Sequence, residues 1–162
     1  KGPQAPGEAG WLHCGKSGAG HYAKMVHNGI EYGMMQAFAE GFAMFASADA
    51  ETVADDLRYD FDLPAIAEVW RRGSVVSSWL LDLGADALAE NPSLDRYSDQ
   101  VADSGEGRWT IEAAIDQRTS VQVLAAALFA RFDSRDQGKV GNRFLSALRN
   151  RFGGHPSLSA KG

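Results

Sequence analysis

Gly18-Ala-Gly-His-Tyr-Ala-Lys-Met-Val-His-Asn-Gly-Ile-Glu-Tyr-Gly-Met-Met-Gln36 contains no proline, and none follows before residue 64. A single long helix over about 19–48 is the direct reading. It sets Lys24, His27, Asn28 and Glu31 at i, i+3, i+4 and i+7, which places all four on one face. A base, an imidazole, an amide and an acid form an odd composition for a buried stripe. They suit a site that moves protons on a polar substrate. Lys24 lies near the helix start, where the dipole and partial burial both disfavour a positive charge, so its pKa is expected to fall. Glu31 lies roughly 10 Å further along the axis, the reach of a sugar-sized ligand. The competing reading is a solvated polar face.

Working outward, Gly29, Gly33, Ala37 and Gly41 recur every four residues. Interior glycines weaken a helix, so close helix packing in a core or dimer is expected to offset them. Gly15-Lys-Ser-Gly-Ala-Gly20 precedes the helix. Its order is not the dinucleotide fingerprint, and no βαβ unit surrounds it. A tight turn with spare N–H groups for an anion is expected there. Residues 1–10 read as a flexible lead, and Trp11-Leu12-His13-Cys14 as a strand end.

Further along, Asp62 is expected to cap a helix with Pro64 in its first turn, running to Arg72 and stopping at Gly73. Ser74 is expected to cap the next, with Val75, Val76, Trp79, Leu80, Leu83 and Leu88 as its apolar positions. Residues 93–109 are polar and turn-rich. Thr110 is expected to cap a helix through Gln117, and Ser120 another, with Leu124, Leu128, Phe129 and Phe132 on its apolar stripe. A last helix spans about 139–151. The whole is all-α, with six or seven helices around the long one.

Composition bounds the function. The 162 residues carry a net charge of −5, 44% hydrophobic and 23% charged residues, and a pI near 5.3. Nonspecific nucleic-acid binding wants a basic surface and is disfavoured. No apolar run reaches the ~18 residues of a membrane span. The single cysteine, Cys14, is read as a buried free thiol, which fits a cytoplasmic protein. The four histidines, 13, 21, 27 and 155, show no metal spacing with it, so no metal is expected.

Residues 18–36 resemble the signature of the decarboxylating 6-phosphogluconate dehydrogenases, GAGH-[FY]-x-K-M-V-H-N-G-I-E-Y-G-x-M-Q. Met34 stands where that family usually has Asp, a departure associated with its shorter members. The resemblance extends to Val69–Ser78, where Ser77 replaces a usual arginine; to Asp103–Thr110, like the family's GTGKWT loop; to Phe129-Ala-Arg-Phe132; and to Arg149-Asn-Arg-Phe-Gly-Gly-His155, like a tail that reaches a neighbouring subunit. It implies that Lys24 is the general base and Glu31 the general acid. It also implies that His27, Asn28, Tyr32, Arg131, Arg149 and His155 bind substrate, and that Gly18 and Gly20 border the cofactor. Ser104 replaces a phosphate-binding lysine, for which Arg108 is a possible substitute. Trp109 otherwise serves to anchor its loop.

The implied reaction is oxidative decarboxylation of 6-phosphogluconate to ribulose 5-phosphate and CO₂ with NAD⁺ or NADP⁺, in the pentose phosphate pathway or gluconate use. The implied assembly is a homodimer or dimer of dimers. Residues 1–14 then read as the end of a nucleotide-binding domain not included here, and 15–162 as the substrate-binding and dimerisation domain. Catalysis by this chain alone is not expected. The alternatives are a non-catalytic substrate-binding and dimerisation fragment, and a sibling β-hydroxyacid dehydrogenase for another small hydroxy acid.

Overall fold

The computed structural model describes residues 6–135 and 138–153, with six α-helices and two short 3₁₀ turns. α1 spans Ala19–Ala46, α2 Leu63–Gly73, α3 Trp79–Glu90, α4 Glu106–Asp116, α5 Gln122–Ser134 and α6 Lys139–Gly153. The described residues contain no strand, so the all-α reading holds. No described helix is long and apolar enough to cross a membrane.

α1 is 28 residues long, or about 42 Å. It starts at Gly18, whose φ of 93° lies in the left-handed region that glycine enters without strain. It ends where the Ser47 hydroxyl donates to the Ala43 carbonyl. Asp62 caps α2 as expected, accepting from the Ala65 N–H at 3.0 Å.

The start of α3 differs from expectation. The Ser74 hydroxyl donates back to the Trp70 carbonyl at 2.8 Å and closes α2. Ser78, not Ser74, accepts from the Leu81 N–H and starts α3. That four-residue delay turns a different face inward. Leu81, Ala85 and Leu88 are buried, while Trp79 is 80% exposed. α4 likewise begins four residues before Thr110, with Gly105 as its cap at φ 101°. Thr110 is a buried interior residue whose hydroxyl lies 2.9 Å from the Met25 carbonyl and 2.8 Å from that of Glu106. α5 starts at Gln122 rather than Ser120, and Phe129 is exposed where a core position was expected. Cys14 is also exposed, not buried.

The long helix joins two packing centres. α4 and α5 pack on each other and on α1, around Tyr32, Ala127 and Leu128 with Ile111 and Phe132 beside them. α2 and α3 pair around Ala67, Ala85 and Leu88, and meet α1 at Phe42. Arg71, 18% exposed at its side chain, ties α2 to α3 through Asp82 at 2.9 Å and Asp86 at 2.6 Å. No extensive packing joins α6 to the other helices among the described residues.

The every-fourth small residues divide in role. A Cβ on Gly29 would stand 2.7 Å from Thr110 Cγ2 and 3.1 Å from Leu124 Cδ2, and one on Gly33 3.4 Å from Val123 Cγ1. A Cβ on Gly41 would meet nothing within 4 Å. Close packing on α4 and α5 therefore accounts for the first two and not the third.

Asp103 fixes the segment ahead of α4. Its side chain is 2% exposed. It accepts from Arg108 Nε at 2.8 Å and from Arg135 Nη2 at 3.0 Å. Both guanidiniums lie over the Phe132 ring, at 5.4 and 5.3 Å. Alongside, the Val101 N–H donates to Ser134 Oγ and Arg131 Nη1 donates to the Ala102 carbonyl. The hydrogen bond from Arg108, then that from Arg135, hold the Asp103 carboxyl below its usual pKa against the opposing effect of burial.

Two stability outcomes are expected. Gly29→Ala should destabilise by about 1–3 kcal/mol through overpacking, whereas Gly41→Ala should stabilise by about 0.5–1 kcal/mol through helix propensity; urea midpoints at matched protein concentration distinguish the two. Asp103→Asn should cost about 1–3 kcal/mol at neutral pH, the worth of hydrogen bonds to a charged group. Because the folded-state pKa is depressed, the native carboxylate's advantage is full above the unfolded value of about 3.9. It disappears as pH falls through the lower folded value, so urea midpoints of the two proteins should converge in acid.

Candidate active site

An open pocket of about 420 Å³ lies between α1, the 102–104 segment and α5. Lys24, Asn28, Glu31, Tyr32 and Met35 line it from α1, Ala102, Asp103 and Ser104 from the segment, and Arg131 from α5. The four-residue stripe read from the sequence does share one face. Lys24 Nζ donates to Asn28 Oδ1 at 2.7 Å and lies 3.1 Å from His27 Nδ1. His27 Nδ1 lies in turn 3.4 Å from Glu31 Oε2. The imidazole thus stands between the lysine and the carboxylate, with side-chain exposure of 64% for His27 and 37% for Glu31.

Tyr32 is the fixed wall. It is 7% exposed. A Cβ on Gly107 would stand 2.6 Å from its ring, so the ring lies directly on the α4 backbone. The Arg131 guanidinium sits 3.8 Å from the ring centroid, a cation–π stack that holds both groups in place. The Tyr32 hydroxyl accepts from the Ser104 N–H at 3.0 Å. Arg131 also places Nη2 3.7 Å from Met35 Sδ.

Sequence reading missed two contributors, Met35 and Glu106. The Ser104 hydroxyl donates to the Glu106 carboxylate. That bond first, then the backbone N–H at the start of α4 and the charge of Lys24, lower the Glu106 pKa. Glu106 comes from the far side of the chain, so no spacing rule relates it to Lys24. The Asp103–Thr110 loop was the only signal.

Other expectations fall elsewhere. Arg108 does not substitute for a lysine at Ser104. It pairs with Asp103 and lines a separate groove of about 740 Å³ with Phe129, Phe132 and Arg135. Trp109 packs its ring beside Gly105 and is 53% exposed. Arg149 is an exposed residue of α6 and is not among the pocket-lining residues. His155 lies outside the described residues. Among the described residues, no group of three His, Cys, Asp or Glu side chains is placed to hold a metal ion.

The chain is similar to known proteins along most of its length. A family model described as 6-phosphogluconate dehydrogenase, C-terminal domain, matches residues 20–143. YqeC of Bacillus subtilis, a protein named for 6-phosphogluconate dehydrogenase, is 43% identical over 148 residues, 91% of this chain and 47% of that protein. The NAD⁺-dependent, decarboxylating 6-phosphogluconate dehydrogenase of Haloferax volcanii is 41% identical over 152 residues, 93% of this chain and 48% of that protein. The structure of Plasmodium falciparum 6-phosphogluconate dehydrogenase, described in apo form and with NADP⁺ or 6-phosphogluconate, superposes with a TM-score of 0.63 at 27% identity. That match covers 93% of this chain and 30% of that one. The chain therefore spans less than half the length of these relatives. With the family model covering most of its length and the same all-helical architecture, this chain belongs to the 6-phosphogluconate dehydrogenase C-terminal domain family.

Proposed function

We propose that this chain is the substrate-binding and acid–base half of an enzyme that oxidatively decarboxylates 6-phosphogluconate. The observation that carries the reading is one pocket holding Lys24, Asn28, Glu31, Tyr32 and Arg131 together. Lys24 accepts the proton of the substrate's C3 hydroxyl as hydride leaves C3. The product is a β-keto acid, which loses CO₂ because the electron pair of the breaking C1–C2 bond is delocalised onto the C3 carbonyl. Lys24 now returns its proton to that oxygen, and an enediol forms. Glu31 then protonates the carbon that lost CO₂ while Lys24 takes the proton back from the C3 hydroxyl, giving ribulose 5-phosphate. His27 and Asn28 hold substrate oxygens between the two.

Arg131 faces the phosphate end, with Tyr32 beside it. Its planar fork suits two parallel bonds to phosphate oxygens. NAD⁺ or NADP⁺, when bound, supplies the hydride acceptor. Open space at the start of α1 supports such a neighbour: a Cβ on Gly18, the cap, or on Gly20, in the first turn, would meet nothing within 4 Å. A homodimer, or a dimer of dimers, in which Arg149 and His155 of one copy serve the pocket of another, is part of the same reading. So are a cytoplasmic location and a place in the pentose phosphate or gluconate pathways. The exposed Val140, Phe144 and Leu148, spaced at four residues along α6, support an apolar contact in such an assembly.

The deciding experiment uses the full-length protein that carries this chain. Offered 6-phosphogluconate with NAD⁺ and, separately, NADP⁺, it should yield reduced nicotinamide and CO₂ in equal amounts. Reduction without CO₂, or turnover of a simple hydroxy acid only, would replace this reading with a sibling dehydrogenase. Lys24→Ala and Glu31→Ala should each lower kcat by about 10²–10⁴-fold, as expected for loss of a positioned acid or base, with KM little changed. Arg131→Ala should instead act mainly on KM, raising it about 10–100-fold through loss of charged hydrogen bonds. Calorimetric titration with 6-phosphogluconate checks that last effect independently of turnover.

A further inference from the structure

The charges around the pocket are balanced rather than positive. Lys24 and Arg131 line it, and Glu31 lines it against them. Asp103 also lines it but is matched by Arg108 and Arg135 outside. Glu106 adds a second unmatched carboxylate, which touches the lining through Ser104. A sugar acid bearing a phosphate carries about three negative charges near neutral pH. Within one copy, two cations and two carboxylates among the described residues do not attract such a ligand by net charge.

The hydrogen bonds point the same way. The Ser104 hydroxyl spends its proton on Glu106. Tyr32 accepts from the Ser104 N–H, and its own hydroxyl lies 3.3 Å from Ser104 Oγ. With no ligand bound, the Tyr32 proton therefore runs to Ser104 and the Ser104 proton to Glu106. This wall is polarised toward an acceptor, and it offers ligand oxygens fewer donors than its residue types allow. A phosphate oxygen must draw the Tyr32 proton away from that chain. A ligand hydroxyl can instead donate into it.

We infer that Glu106 is a specificity-determining residue of this pocket: acting through Ser104 and Tyr32, its carboxylate weakens the hold on a phosphate dianion and narrows the preference for phosphorylated over unphosphorylated sugar acids. The inference rests on the proposed function, since it assumes that the pocket takes a sugar acid.

The test uses the full-length protein with 6-phosphogluconate and gluconate as probes. Each is measured as kcat/KM, or as a competitive inhibition constant where turnover is too slow to follow. Glu106→Gln keeps the side chain's shape and removes its charge. It should raise the preference for 6-phosphogluconate over gluconate about ten-fold, the scale of one screened like-charge interaction, and the change should fall on KM for the phosphorylated probe. Glu106→Asp keeps the charge and should retain the wild-type preference. Ser104→Ala cuts the link between the carboxylate and Tyr32, so it should raise the preference in the same direction as Glu106→Gln. An unchanged or lowered preference in Glu106→Gln overturns the inference. So does an unchanged preference in Ser104→Ala, because the carboxylate would then not act through that hydroxyl. Wild-type protein that neither turns over nor binds 6-phosphogluconate would instead overturn the proposed function, whatever Glu106 does.

Discussion

α1 can present a site only because α4 approaches it to backbone distance. The contact is made by glycines on both sides. Gly29 on α1 admits Thr110, and Gly107 on α4 admits the Tyr32 ring. The Thr110 hydroxyl then reaches the Met25 carbonyl one turn before Gly29. Each interior glycine costs its helix about 1 kcal/mol relative to alanine. Burial of a large side chain such as Tyr32 returns about 1.5–3 kcal/mol. The two are of similar size, so the burial offsets the glycines' cost, and the close contact brings the segment from Ala102 to Ser104 opposite Lys24 and Glu31.

That geometry separates two kinds of charged cluster in the same region. Asp103 is 2% exposed and saturated by two guanidiniums. Its charge is already spent on holding the chain, and removing both partners would leave an ion stranded in the fold. Lys24, His27 and Glu31 are more open and are joined by longer contacts of 3.1 and 3.4 Å. They retain capacity to bond something else. Similar residue types therefore read as structure in one place and as chemistry in the other, on burial and saturation alone.

The long helix, the polar stripe and the Asp62 cap were legible in the sequence because each depends on residues close together in the chain. Where two capping residues competed, the sequence misled. Ser74 and Ser78 both look like starts, and only the fold shows that the Ser74 hydroxyl is used on the Trp70 carbonyl. Thr110 has the chemistry of a cap, yet burial against α1 took its hydroxyl for a contact 85 residues away. Glu106 and the Asp103 clamp were illegible for a different reason. They exist only after α4 and α5 are packed, and a carboxylate's partners in other helices leave no periodic trace. The resemblance named Arg131 but not what holds it, the stack on Tyr32 and the bond to the Ala102 carbonyl.

The pocket's openness limits what these helices do alone. A proton passed to an enediol carbon must go from one acid to one atom, and bulk water competes for both. His27 is 64% exposed at its side chain and Glu31 37%. Arg131 is held by Tyr32 and Met35 on α1 and by the Ala102 carbonyl. In the proposed reaction, the described residues would set the spacing of the acid–base pair and anchor one end of the ligand, and they leave the pocket open to solvent. A wall that excludes solvent must then come from whatever covers the open side, and it would strengthen every charge in the pocket by lowering the local dielectric. The balance among Lys24, Arg131, Glu31 and Glu106 is then felt most when the pocket is closed, which makes a carboxylate adjoining the lining a matter of selectivity.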